Sequence, residues 1–149
     1  MSAHPDAKLI ELGRQFEQAK AEARPLHKEW KKSWNALEAA KKESGLDVYS
    51  LFNPEIKKAW KALSRKIGHE PIRKAFVAKH GEAIKLMKTI HRHKATTLEG
   101  FAVKLAAIVF DLSDFEVSDP VPVDVAEREL YRLARDMSQA AKVGGHANG

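Results

Sequence analysis

The stretch DAKLIELGRQFEQAKAEARPLHKEWKKSWNALEAAKKE, residues 6–43, decides the fold class. Leu9, Phe16, Ala23, Trp30 and Leu37 recur every seven residues, and Leu12, Ala19, Leu26, Ser33 and Ala40 occupy the position between them. Only Ser33 is plainly out of this apolar pattern. Five heptads in 3-4 spacing predict one long amphipathic helix packed along another helix. Pro25 falls on the outer side of the stripe, where it removes a backbone donor and crowds the turn before it, at a cost of about 3 kcal/mol in a helix interior. The heptad phase passes through Pro25 without a slip. The expectation is therefore a continuous, kinked helix, about 55 Å long. Such a helix in a chain of 149 residues calls for a helical hairpin or a second copy. The candidate self-association seam is Leu9, Leu12, Phe16, Leu26, Trp30 and Leu37.

Downstream, SGLDVYSLFNP (44–54) reads as a connection, with Gly45 suited to a helix C-cap and Asn53-Pro54 to a new N-terminus. A second amphipathic run follows through Ile56, Trp60, Leu63 and Ile67 and can end at Gly68. A third begins near Glu70-Pro71, carries Ile72, Phe76, Ala83, Ile84, Met87 and Ile90, and extends to about His93. In TTLEGFAVKLAAIVFDL (96–112), Thr96 stands three residues before Glu99, the spacing of a capping box. Leu98, Phe101, Leu105, Ile108 and Leu112 keep the 3-4 spacing, while Ala102, Val103, Ala106, Ala107 and Val109 make the other faces apolar. A helix apolar nearly all round is buried on most sides, which predicts the central helix of a bundle. DFEVSDPVPV (114–123) reads as an extended surface crossing. A last helix is expected from Asp124, with the stripe Ala126, Leu130, Leu133, Met137 and Ala140. The segmentation gives one helical domain over 1–142 and a disordered tail over 143–149.

Composition agrees with an all-α helical bundle: Gly and Pro are few, at 8 and 6, and charged residues make up 31%. There is no Cys, which excludes disulfides and thiolate metal sites. The N-terminus has no basic segment followed by an apolar one, and no window reaches the roughly 18–20 apolar residues of a membrane span. A bacterial-type cytoplasmic protein without membrane contact is the expectation.

The net charge of +6 is unevenly spread. Residues 1–56 balance, residues 57–104 hold thirteen Lys/Arg against three Asp/Glu, and residues 105–149 are acidic. Lys57, Lys61 and Arg65 stand at i, i+4 and i+8, on one helix face. With Lys58, Lys66, Arg73 and Lys74 they are the candidate nucleic-acid contacts, because a basic strip can follow a phosphate backbone. Against this stands the plain alternative of a solvated helix face. No helix-turn-helix, zinc-finger or RNA-stacking motif accompanies the strip.

The seven His form no H-x-x-x-H or E-x-x-H pair, and His91 and His93 would sit about 200° apart on a helix, so no metal site is expected. The acidic residues Asp111, Asp114, Glu116 and Asp119 do not follow EF-hand spacing. Trp30, Trp34 and Trp60 fall on apolar stripes and are assigned to core or seam packing. With no nucleophile elbow, phosphate loop or dinucleotide fingerprint, no catalytic residue and no cofactor is assigned.

Three segments carry a resemblance: HPDAKLIELGRQFE (4–17), ATTLEGFAVK (95–104) and DVAERELYRLARDM (124–137). In their order the chain resembles a family of short α-helical proteins found mainly in alphaproteobacteria, some encoded near prophage or other mobile genes. The Thr-Thr-Leu-x-Gly segment is its most specific feature. Leu105-Ala106 departs from the Ala-Arg of the family pattern, and the middle of the chain is more basic than usual. The family has no established activity, so the resemblance carries no catalytic residue over. The expectation is a non-enzymatic accessory or interaction protein that self-associates through its N-terminal helix, with a nucleic-acid-binding accessory protein as the alternative.

Overall fold

The computed structural model describes residues 3–46, 52–112 and 134–143, and all its regular structure there is helical. Helix α1 spans Ala7–Glu43, α2 Pro54–Ile67, α3 His69–Arg92 and α4 Leu98–Leu112. A further helix, α5, occupies 134–143. The extended crossing at 114–123, the Asp124 start, most of the last helix's stripe and the tail beyond Val143 lie outside the described residues.

The long N-terminal helix is continuous through Pro25. Pro25 and Ala21 are both exposed, so the carbonyl that loses its donor faces water. The helix closes with paired bonds from Gly45 N–H to Lys42 O (3.3 Å) and Leu46 N–H to Lys41 O (3.1 Å), a Schellman ending. At the start of α2 the Asn53 side chain accepts from Glu55 N–H at 3.0 Å and Pro54 takes the first helical position. Gly68, at φ +73°, ends α2 and lets α3 begin at the next residue.

The frame is an antiparallel hairpin of α1 and α3. Ser33 meets His69, His27 lies 5.1 Å from Phe76, and Glu22 pairs with Lys79 at 2.8 Å, so residue numbers rise on one helix as they fall on the other. Leu9, Phe16, Ala19, Ala23, Ala83, Met87, Ile90 and Phe110 form its core. Phe16 and Phe110 meet edge-on at 5.2 Å, a favoured aromatic geometry. Short helices cover the two ends: α2 packs on the C-terminal half of α1, and α4 runs beside its N-terminal half.

Three expectations change here. First, α4 is not a central helix. It buries Gly100, Ala102, Ala107, Val109 and Phe110 and leaves Leu98, Phe101, Ile108 and Leu112 exposed. Small residues face the bundle because α1 comes close: a Cβ on Gly13 would lie 2.6 Å from a Val103 methyl. Second, the helix cap is Thr97, not Thr96 with Glu99. Thr97 Oγ1 accepts from Gly100 N–H at 3.2 Å, and Phe101 N–H donates to Thr97 O at 2.9 Å. Third, α5 buries Ala134 and Ala141 while Ala140 is exposed, so its inner face is turned by one residue from the expected stripe.

Candidate functional site

Where the structure places the basic residues depends on who neutralises them. On α2, the apolar stripe Ile56, Trp60, Leu63 and Ile67 is half-buried and turned inward. Lys41 of α1 lies over the Trp60 ring at 5.2 Å. That orientation leaves Lys57, Lys58, Lys61, Arg65 and Lys66 exposed on the outer face, and Lys74 exposed on α3. None of these six makes an ion pair with a described residue. Arg73 differs from the expected set. Its guanidinium binds Glu70 at 2.7 and 3.0 Å, which lowers the Glu70 carboxyl pKa and raises that of Arg73. Lys79 is likewise held by Glu22 and by Glu82.

Lys104 also drops out of the basic surface. Its ammonium donates to His91 O at 3.0 Å and to His93 O, the last carbonyls of α3 and the residue after it. A cation there meets the negative end of the helix dipole. Lys104, the one cation within α4, is therefore a C-terminal cap of its neighbour α3.

The expected self-association seam is closed within the chain. Leu9, Phe16 and Leu37 are buried and Leu12, Leu26 and Trp30 half-buried; Leu9, Leu12 and Phe16 pack into the core with residues of α3 and α4, and Trp30 stacks on Phe76 of α3. α3 uses the same 3-4 spacing that a second copy would have used. Ser33, the out-of-pattern seam residue, has a partner: its hydroxyl donates to Trp30 O at 2.9 Å and lies 2.8 Å from His69 Nδ1. With the hydroxyl proton on Trp30 O, His69 carries its proton on Nδ1 and donates to Ser33 Oγ. A hydroxyl and an imidazole in contact are the start of a nucleophile and base. Here both side chains are buried and the hydroxyl proton is committed to the backbone, which makes the pair a core contact.

The residue that sequence reasoning missed is Asp6. It stands at the N-cap of α1 but makes no side-chain cap bond to that helix. Its carboxylate instead accepts from Thr96 N–H (2.9 Å), the Thr96 hydroxyl (3.0 Å), Thr97 N–H (2.8 Å) and the Thr97 hydroxyl (2.7 Å). These four donors, the Thr96 N–H foremost and the Thr97 hydroxyl next, pull its pKa down to about 2. The negative charge lies at the positive end of α4, where the dipole favours it. Gly100 makes room, since a Cβ there would overlap the Asp6 carboxylate. His4 completes the group: its Nδ1 accepts from Asp6 N–H at 3.1 Å, which leaves the proton on Nε2, 3.4 Å from Glu99. The start of the chain and the Thr-Thr-Leu-x-Gly segment thus meet at one carboxylate. A buried acceptor 90 residues from Thr96 has no local sequence signal.

No family model, no curated protein and no solved structure matches the chain. Among the described residues, no helix is long and apolar enough to cross a membrane, and no group of three or more His, Asp or Glu is placed to hold a metal ion.

Proposed function

We propose that the chain is a non-enzymatic helical interaction protein that works through its outer faces, and that the face turned out by α2 binds a polyanion such as nucleic acid. The observation that supports this is the row Lys57, Lys61 and Arg65 flanked by Lys58 and Lys66. All five are exposed, they occupy the half of the helix away from the Ile56, Trp60, Leu63 and Ile67 stripe, and none is neutralised by a described residue. The only acidic residue on α2 is Glu55, in its first turn. Such a strip gains affinity by releasing counterions from phosphates, without reading bases. The non-enzymatic part of the reading is supported by the engagement of Ser33, His69, Asp6 and Lys104 in structural contacts. Membership in the alphaproteobacterial family belongs to the same proposal, supported by the order of the segments 4–17, 95–104 and 124–137 in the sequence. So does a cytoplasmic location, supported by the absence of Cys.

The test is fluorescence anisotropy with labelled duplex and single-stranded DNA across a salt series. Binding should fall linearly on a log–log plot. Reversing Lys57, Lys61 and Arg65 to Glu should lower the slope by about one unit per lost phosphate contact, about three in all. Binding that is absent at low salt, or unchanged in the triple variant, would return the strip to a solvated face.

A further inference from the structure

Helix α4 turns Leu98 (50% exposed), Phe101 (51%), Ile108 (40%) and Leu112 (48%) to solvent, with half-buried Leu105 between them. These five residues are the a and d positions of two heptads, the narrow stripe by which helices pair. From Leu98 to Leu112 the stripe runs about 21 Å. Exposed apolar residues scattered singly need no explanation, but a continuous stripe marks an interface. We propose that it is the surface on which a second copy of the chain docks, α4 against α4, antiparallel about a two-fold axis. This proposal is independent of the polyanion reading.

Three features favour a second copy. The stripe is self-complementary, as a two-fold interface must be. In one antiparallel register Phe101 layers with Leu112 of the second copy and Leu105 with Ile108 of the second copy. The symmetry repeats both layers, giving four without a polar residue. Charge selects the same register. Lys104 and Asp111 lie seven residues apart on one edge of the stripe, and this register sets Lys104 opposite Asp111 of the second copy, twice. The Lys104 ammonium has three donors, of which two are used on His91 O and His93 O. Asp111 is exposed and, among the described residues, pairs only with His91 Nε2, at 3.8 Å. A parallel pair would instead set Lys104 and Asp111 beside Ala102 and Val109, with no complement. Area sets the strength: about half of five large side chains is on the order of 400 Å² per copy, half the usual ~800 Å² per partner. The dimer is therefore reversible rather than obligate.

Sedimentation velocity of the full chain, from low micromolar to near-millimolar concentration, should show a monomer–dimer equilibrium. Phe101→Glu and Ile108→Glu should each shift it to monomer with an unchanged far-UV spectrum. Because the chain has no Cys, two single-cysteine variants report direction. Phe101→Cys mixed with Leu112→Cys should give the mixed disulfide under air oxidation, and neither alone should give its own dimer. Homodisulfides at either position would overturn the antiparallel arrangement. A wild-type monomer at every concentration would overturn the proposal. At a concentration where the wild type is itself monomeric, a Phe101→Glu variant that melts lower would show that the chain covers the stripe itself, and would overturn it too.

Discussion

Replacing Ser33 with Ala separates the heptad pattern from the packed structure. On pattern alone the change should stabilise: Ala extends the apolar seam and is the better helix former by roughly 0.5 kcal/mol. The structure predicts the opposite. Ser33 Oγ lies 2.8 Å from His69 Nδ1, and His69 is 3% exposed. Removing the hydroxyl leaves a buried N–H without its acceptor, a loss of about 1–3 kcal/mol. Set against the propensity gain, the net destabilisation is about 0.5–2.5 kcal/mol, or ~1–10 °C in Tm for a chain of this size. Urea unfolding followed by tryptophan fluorescence is a suitable assay, because Trp34 lies 5.7 Å from His69 and Trp30 stacks on Trp34 at 6.1 Å. The partner variant His69→Leu should make Ser33→Ala nearly neutral, since both ends of the bond are then gone. A Ser33→Ala protein as stable as wild type, or additive effects in the double variant, would refute the argument that this pair is a mutual requirement of the core.

Two further outcomes concern the latch at the start of α4. Asp6 has its pKa lowered from 3.8 to about 2, so between those values the unfolded chain binds more protons and stability rises with pH. Its contribution is complete above about pH 4 and lost as pH falls through about 2; melting curves of wild type and Asp6→Asn should therefore converge across that window, and parallel curves would dismiss the latch. Gly100→Ala should lower the melting temperature although Ala favours helix by about 1 kcal/mol, and in an Asp6→Ala background the same change should raise it. A Gly100→Ala effect of one sign in both backgrounds would mean that the carboxylate is not what the missing Cβ accommodates.

What the sequence disclosed and what it withheld divide along distance in the chain. The helices α1 to α3 were legible because their apolar residues recur on one side only, and their ends because Asn53-Pro54, Gly45 and Gly68 act within a few residues. The basic strip on α2 was legible too, since a surface charge needs no partner to be placed. The facing of α4 was not. Its residues are apolar all round, so periodicity gave it no direction, and the choice fell to contacts with Gly13 and Asp6 in the first turns of α1. The same distance misled the cap. Thr96 and Glu99 have the local spacing of a capping box, but Asp6 lies 90 residues from Thr96 and supplies a stronger acceptor. Ser33 was visible as an exception, but its reason, His69, is 36 residues away.

The two candidate surfaces follow from one feature of the architecture. Helix α1 has 37 residues and α3 has 24, about 55 and 36 Å, so the hairpin leaves part of α1 beyond the end of α3. A short helix must cover that overhang, and α2 does so. At the other end the core around Phe16 and Ile90 needs a third wall, which α4 supplies through Phe110 and Val103. Each covering helix gives the hairpin one face and turns its other face outward. On α2 that outward face carries five cations, which water solvates at little cost. On α4 it carries leucine, isoleucine and phenylalanine, whose exposure costs about 25 cal/mol for every Å² left in water. A chain that turns Leu98, Phe101, Ile108 and Leu112 of α4 outward, with Phe110 and Val109 alone among its large residues buried beside Gly100, Ala102 and Ala107, has placed them for a contact. The apolar face is for that reason the stronger argument that this protein acts in company, and the basic face the stronger indication of the chemistry that company could include.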